Sequence, residues 1–146
     1  EHQAELVANT GLKIVLRTLL AHLEVPSIQA IALAALHSLV CSNTDAKTAL
    51  ANLGAIETIA KTLKKYPNDA KIQAYGMAVF QSMAFEHEEN NKDIISFQGI
   101  NLANSAVMTH GEDPKVQEFG NMLLETLQPW RKKSGKKSVS SGAKAT

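Results

Sequence analysis

The residues that could support catalysis or metal binding are few, and their spacing suits neither. Cys41 is the only cysteine among 146 residues, and no two of the five histidines form a His-x-x-x-His pair, so a zinc site is not predicted. His37 and Ser38 are adjacent, and adjacent residues on a helix point in different directions. The run Glu-His-Glu-Glu at 86–89 falls in an expected turn, where we interpret it as a solvated loop. We therefore expect a protein that is not an enzyme and has no cofactor or metal.

The sequence is organised by a repeat rather than by a reactive cluster. Three stretches of similar pattern, 27–39, 71–83 and 115–127, each carry a glutamine as their third residue. A constant period of 44 residues separates these glutamines, and a period of that length is typical of a solenoid of stacked helical units. We call them the marker glutamines: Gln29, Gln73 and Gln117.

Each period predicts a short helix, a second helix and a long third helix from its hydrophobic pattern. A glycine is expected to end each short helix, namely Gly11, Gly54 and Gly99. The short helices are expected at 2–8, 46–53 and 92–97, and the third helices at 27–41, 70–85 and 114–128.

Small residues recur three places after each marker glutamine, at Ala32, Gly76 and Gly120. A glycine inside a helix costs about 1 kcal/mol relative to alanine. Two glycines in register therefore predict that another helix crosses close to the backbone at this point.

The three-helix unit of about 44 residues, with its glycine and its Val/Ile-Gln third helix, resembles the armadillo repeat. HEAT repeats, which have two helices per unit, fit less well. The resemblance implies an all-α, right-handed α-solenoid of about three armadillo repeats over residues 1–130, with units at about 2–41, 42–86 and 87–128. We also expect further repeats, or a partner, to cover the apolar side of the first unit.

Armadillo proteins are typically binding scaffolds whose third helices line a concave groove for extended peptides. By this resemblance the groove positions lie five and nine residues after each marker glutamine. Relatives that bind nuclear localisation peptides carry Trp and Asn at these positions, so a peptide of that kind is not expected here. The groove residues of this chain are Ala34 and Ser38, Ala78 and Ser82, and Met122 and Thr126.

Two further features of the expected groove each have two interpretations. The ladder of Ser38, Ser82 and Thr126 could bond a partner, or each hydroxyl could bond a carbonyl of its own helix. Beside this ladder lie His37 and Gln81, while the third unit presents Glu118 and Glu125. These two glutamates form either an acidic patch for a basic segment or a solvated helix face.

The charge of the chain is divided between body and tail. Residues 131–146 contain six Lys and Arg and no acid, whereas the preceding 130 residues contain nine Lys and Arg and fourteen Asp and Glu. Such a tail cannot bury a core and is expected to be disordered. It could solubilise or anchor the protein, form a nuclear localisation or acidic-partner patch, or bind the body; nucleic acid is not expected except weakly through it. Its charged residues include Arg131, Lys132, Lys133, Lys136 and Lys137.

These features together predict a protein–protein interaction scaffold or regulatory module that binds a partner segment along the third-helix groove. Two alternatives stay open: a regulatory or substrate-recruiting domain of a larger enzyme, such as a ubiquitin ligase or kinase, and a component of a cytoskeletal assembly. We expect no small-molecule substrate. Because no apolar run approaches the length of a membrane span, we expect a cytoplasmic location, or a nuclear one through the tail.

Overall fold

The computed structural model describes the backbone of residues 2–43 and 45–143, and within these the side chains except those of residues 2, 4, 5, 7, 8, 42 and 131–143. Every regular element in the described chain is a helix, as the sequence predicts. The helices are α1 His2–Ala21, α2 Pro26–Ser42, α3 Ala46–Asn52, α4 Ala55–Lys65, α5 Ala70–Ala84, α6 Glu88–Ser96, α7 Gly99–Thr109 and α8 Pro114–Ala143.

The third helices of the three units, α2, α5 and α8, lie side by side with α5 in the middle. The second helices α4 and α7 pack against the third helices of their own units, and the short helices α3 and α6 bridge successive units. The core lies between these layers and is formed by fully buried side chains, among them Leu36, Leu63, Ile72, Phe80 and Leu123. Each unit therefore buries its apolar surface against its neighbours, as a solenoid requires.

Local chemistry fixes where the third helices begin. The Asp69 side chain accepts a hydrogen bond from the Ile72 backbone N–H at 3.1 Å, and Asp113 Oδ1 accepts one from Val116 at 3.0 Å. These bonds satisfy backbone donors that have no partner within a first helical turn. In α2 the N-cap is Val25, which forms no side-chain capping bond, and Pro26 follows it at the first helical position, where its missing N–H suits the first turn.

The marker glutamines connect the second and third segments of every unit. In each unit the side-chain amide N–H groups of the glutamine donate to two backbone carbonyls at the end of the preceding helix, ten and seven residues earlier. Gln29 bonds Leu19 and His22, Gln73 bonds Leu63 and Tyr66, and Gln117 bonds Val107 and His110, all at 2.8–3.0 Å. The recurrence of glutamine thus has a structural cause, namely the repeated closure of this turn.

The expected break at Gly11 is wrong, because α1 continues through it to Ala21. Only Gly54, Glu86 and Gln98 have a positive φ in the described chain, so Gly11 keeps an ordinary helical backbone. A glycine inside a helix costs about 1 kcal/mol, which the burial of Leu12 and Leu16 in the core readily offsets. Glycine alone was therefore insufficient to end the first short helix.

The other two expected glycine breaks occur, though by different means. Gly54 has a φ of 79° and separates α3 from α4. In the third unit Gln98 takes the left-handed conformation, with a φ of 67°. Gly99 instead begins α7, where a Cβ atom would lie 2.7 Å from the Ile94 carbonyl oxygen. Gly54 thus supplies the left-handed conformation of a turn, whereas Gly99 allows the Ile94 carbonyl to lie close to its backbone.

Helix α6 begins four residues earlier than the sequence suggested. His87 is its N-cap, and Nδ1 accepts a hydrogen bond from the Asn90 backbone N–H at 3.2 Å. In the neutral ring Nε2 then carries the proton and donates to the Thr48 hydroxyl at 2.9 Å. The histidine of the 86–89 run is therefore a cap that also joins α3 to α6.

Helix α8 continues past its expected end near Gln128, through Pro129 to Ala143. The backbone is thus helical beyond residue 130, and the expected disorder of the 131–146 tail stays a prediction. A proline inside a helix removes one helical hydrogen bond, and the segment that follows contains four serines and two glycines, which do not favour a helix. The basic side chains of 131–146 lie outside the described residues, so the proposed roles of Arg131, Lys132, Lys133, Lys136 and Lys137 stay predictions.

Replacing Gln73 with methionine should destabilise the protein by about 1–3 kcal/mol, the cost of a buried group left without its hydrogen bond. The Leu63 carbonyl depends on Gln73 because the residue four places later, Pro67, has no N–H. Urea unfolding measures the loss. Gln117→Met is the control: Gln117 is half-buried, water can replace its amide, and the loss should be smaller. Equal stability of Gln73→Met and the wild type would contradict this role.

Replacing Gly76 with alanine should also destabilise the protein, by up to about 2 kcal/mol after the gain in helix propensity is subtracted. A Cβ at 76 would overlap Leu63 Cδ2 and lie 3.1 Å from Leu63 Cγ, in a fully packed part of the core. This contact confirms the predicted close crossing, as does Gly120, whose Cβ would lie 2.6 Å from Val107 Cγ2. Thermal unfolding tests it, with Gly111→Ala, which meets nothing within 4 Å, as the variant expected to keep its midpoint.

Candidate partner-binding surface

The solvent-facing sides of α2, α5 and α8 form one continuous surface, which we call the third-helix surface. Large apolar side chains are exposed on it: Ile31 is 70% exposed on α2, Phe85 is 52% exposed at the end of α5, and Met122 is 41% exposed on α8. Two cavities open on this surface. The structure thus places apolar contact area where the sequence predicted a groove.

The first recess lies between α2 and the beginning of α5. Its volume is about 530 Å³. Its walls come from both helices, with Ala30, Ile31 and Ala34 on one side and Lys71 and Tyr75 on the other. Ala34, one of the expected groove residues, is half-buried in this wall.

The second recess lies between the ends of α2 and α5 and the middle of α8. Its volume is about 350 Å³. It includes two of the expected groove residues, Ser82 and Met122. The residues lining it are Val40, Cys41, Lys47, Gln81, Ser82, Phe85 and Met122.

The expectation that Ala78 faces an open groove needs correction, whereas Gln81, although largely buried, lines the second recess. Ala78 is only 1% exposed and Gln81 only 9%. The imidazole of His37 on α2 contacts the ring of Phe119 on α8, with 5.6 Å between ring centroids and 68° between their planes. Since α5 lies between α2 and α8, this contact joins the first and third units across the middle helix. The surface is therefore two recesses separated by a ring contact.

The hydroxyls of the expected ladder differ in their surroundings. Thr126 Oγ1 donates to the Met122 carbonyl at 3.0 Å. This is the alternative in which a hydroxyl bonds a carbonyl of its own helix rather than a partner. The Ser82 hydroxyl lies 3.5 Å from Cys41 Sγ of the neighbouring helix. Ser38 is exposed. The structure therefore does not provide three equivalent hydroxyls for a peptide backbone.

An acidic depression forms where α8 passes the loop after α5. Glu118 and Glu125 are both exposed on α8. Glu125 and Thr126 line a cavity of about 440 Å³ together with Glu86 and Glu88. The fold thus brings Glu86 and Glu88 next to Glu125, one of the predicted acidic residues. The sequence did not predict this because these residues are far apart in the chain.

The sequence analysis missed a row of large apolar residues two places after each marker glutamine. These are Ile31, Tyr75 and Phe119, which contribute to the first recess and to the ring contact. Lys115 Nζ lies 5.7 Å from the centre of the Tyr75 ring. These residues occupy the same position in each repeat, so the recurrence of a large side chain there is visible in the sequence.

The pKa of His37, on this surface, is lowered by its surroundings. Burial lowers its pKa below the ordinary value of 6.5, because desolvation disfavours the charged ring. Its Nε2 lies 3.3 Å from Cys41 Sγ. In the described residues no group of His, Cys, Asp and Glu is arranged to hold a metal ion, and none of the described helices is both long and apolar enough to cross a membrane.

The stacked helical units and their marker-glutamine turns define a helical repeat protein of the armadillo class. The family model described as LRRK2 ARM repeat matches residues 2–120, and the chain belongs to this family. No significant match was found among curated proteins or among solved structures.

Protonation of His37 should destabilise the fold as the pH falls. Between the lowered folded pKa and 6.5, the unfolded chain takes up a proton at this ring that the folded chain does not, so stability rises with pH through this window. Urea unfolding at pH 7.5 and 5.5 measures the difference. His37→Gln, which introduces the residue found 44 places later at Gln81, should lose less stability over the same interval. Identical losses in both proteins would rule His37 out as a contributor.

Proposed function

We propose that this chain binds a segment of a partner protein along the third-helix surface, across both recesses. The observation that carries the proposal is the gathering of exposed apolar side chains beside two cavities: Ile31 and Phe85 are more than half exposed, and Met122 is 41% exposed. Clustered apolar surface of this kind marks interaction sites in soluble proteins. Membership of an armadillo repeat family, whose domains are generally interaction modules, supports the same function.

The division into two recesses suggests how the segment is held. A chain that crosses the surface would place one side chain in the recess lined by Ile31 and Tyr75 and another in the recess lined by Phe85 and Met122. The His37–Phe119 contact lies between the two recesses, so the segment would pass over it. Binding energy in such interfaces concentrates in a few anchors seated in pockets.

Charge favours a basic residue at one end of the segment. The depression lined by Glu86, Glu88 and Glu125 lies next to the second recess, since Phe85 contributes to both cavities. Complementary charge increases the association rate and fixes the orientation of a partner more than it adds affinity. The bound segment would therefore run with its basic end towards α8 and the beginning of α6.

The proposal is tested by selecting displayed peptides that bind the wild-type chain and measuring them on surface variants. Ile31→Glu and Met122→Glu should each weaken binding at least about tenfold, as expected when a charge replaces an apolar anchor. Ala78→Glu is unsuitable because that side chain is buried. Met108→Glu is the matched control, since Met108 is 83% exposed on α7, away from the third-helix surface. If binders lose affinity for the Met108 variant alone, the proposed surface is wrong.

A further inference from the structure

A side chain with an unpaired polar atom forms part of the largely apolar wall of the second recess. Gln81 lines it and is 91% shielded from solvent, and its Oε1 atom is buried without a hydrogen-bond partner among the described residues. The walls around it include Val40, Phe85 and Met122. A buried acceptor without a donor is costly and uncommon in native structures, so a ligand that brings a donor would relieve this cost.

The other polar groups of the recess are already engaged. The Ser82 hydroxyl and Cys41 Sγ lie 3.5 Å apart and form a hydrogen bond with each other. Lys47 Nζ donates to the Phe85 carbonyl at 2.7 Å and lies 5.4 Å from the centre of the Phe85 ring. Gln81 Oε1 is therefore the atom in the wall of this recess that has no hydrogen-bond donor among the described residues.

Lys47 restricts which donors can enter. Its positive charge disfavours lysine and arginine side chains, although both are donors. The same charge is attracted to the face of an aromatic ring, most strongly to that of tryptophan. Apolar walls also require a ligand whose body is apolar.

We propose that the second recess is an anchor pocket for a tryptophan side chain of the partner segment, whose indole N–H donates to Gln81 Oε1. The indole has a large apolar body and is a hydrogen-bond donor only, so it matches the walls, the unpaired acceptor and the neighbouring cation together. This inference rests on the proposed function and specifies the ligand chemistry of one part of the same surface.

A small movement of Gln81 completes the site. Rotation about the terminal torsion of a glutamine is broad and roughly two-fold, so the amide turns without moving its stem. Such a turn brings Oε1 towards the cavity when a donor arrives. The acceptor is thus paired only in the bound state, which makes the recess selective for ligands that supply an N–H.

The test uses N-acetyltryptophanamide as the probe and methyl NMR of the full chain as the readout. Among the four methionines, Met122 lines the recess, whereas Met108 lies on α7 and serves as the internal reference. The probe should shift the Met122 methyl signal in a saturable way and leave Met108 unchanged. The 1-methylindole analogue lacks the donor and should bind roughly fivefold more weakly, the loss of one hydrogen bond.

Gln81→Met separates the acceptor from the shape of the pocket. This variant removes an unpaired buried oxygen, so its unfolding midpoint should be equal to or above that of the wild type. It should bind N-acetyltryptophanamide and its 1-methyl analogue equally. Equal binding of the two probes by the wild type, no response at Met122, or tighter binding of N-acetyltyrosinamide or an N-acetylglutamate amide would overturn the tryptophan assignment.

The two proposals fail in different ways. If the tryptophan probes fail while Ile31→Glu and Met122→Glu still abolish binding of the selected peptides, only the anchor assignment is wrong. If the tryptophan probes behave as expected while those variants bind peptides normally, the recess is a tryptophan pocket and the extended binding surface is wrong.

Discussion

The structure depends on one repeated interaction, the closure of the turn before each third helix by a glutamine amide. The two N–H groups of Gln29, Gln73 and Gln117 reach two carbonyls at the end of the preceding helix. Helix ends leave such carbonyls without partners, and solvent does not reach them well in a packed unit. The amide therefore satisfies the backbone and fixes the angle between two helices in a single step.

The same turns also connect one unit to the next. Gln29 Oε1 accepts a hydrogen bond from the Thr62 hydroxyl of the second unit at 2.9 Å. The Tyr66 hydroxyl donates to the Leu23 carbonyl at 2.6 Å, and His110 Nε2 lies 2.9 Å from the Pro67 carbonyl oxygen, 43 residues apart in both cases. The polar bonds at the edge thus follow the same period as the apolar core, which keeps the stacked units in register.

The helical repeat could be predicted from sequence because a constant period and a 3.6-residue pattern are local properties. The third helices and the close crossings at Gly76 and Gly120 followed from register alone. The features that the sequence did not predict depend on the balance between burial and helix-breaking residues, or on contacts between residues far apart in the chain. Burial of α1 outweighed the cost of Gly11, and α8 tolerated Pro129. Ala78 was expected in an open groove because its place in the repeat does not reveal its burial. The ring contact joins residues 82 positions apart, His37 and Phe119, and a repeat pattern does not reveal such a contact either.

That ring contact gives the stack a connection that a linear array lacks. In an ideal solenoid each unit senses only its immediate neighbours, so end units fray independently. Here the first and third units touch across the second. Separating the first unit must therefore also remove a neighbour of Phe119 in the third, which couples the two ends of the array. We therefore expect the three units to open together rather than one by one, and a ligand that spans both recesses would strengthen this connection between the ends.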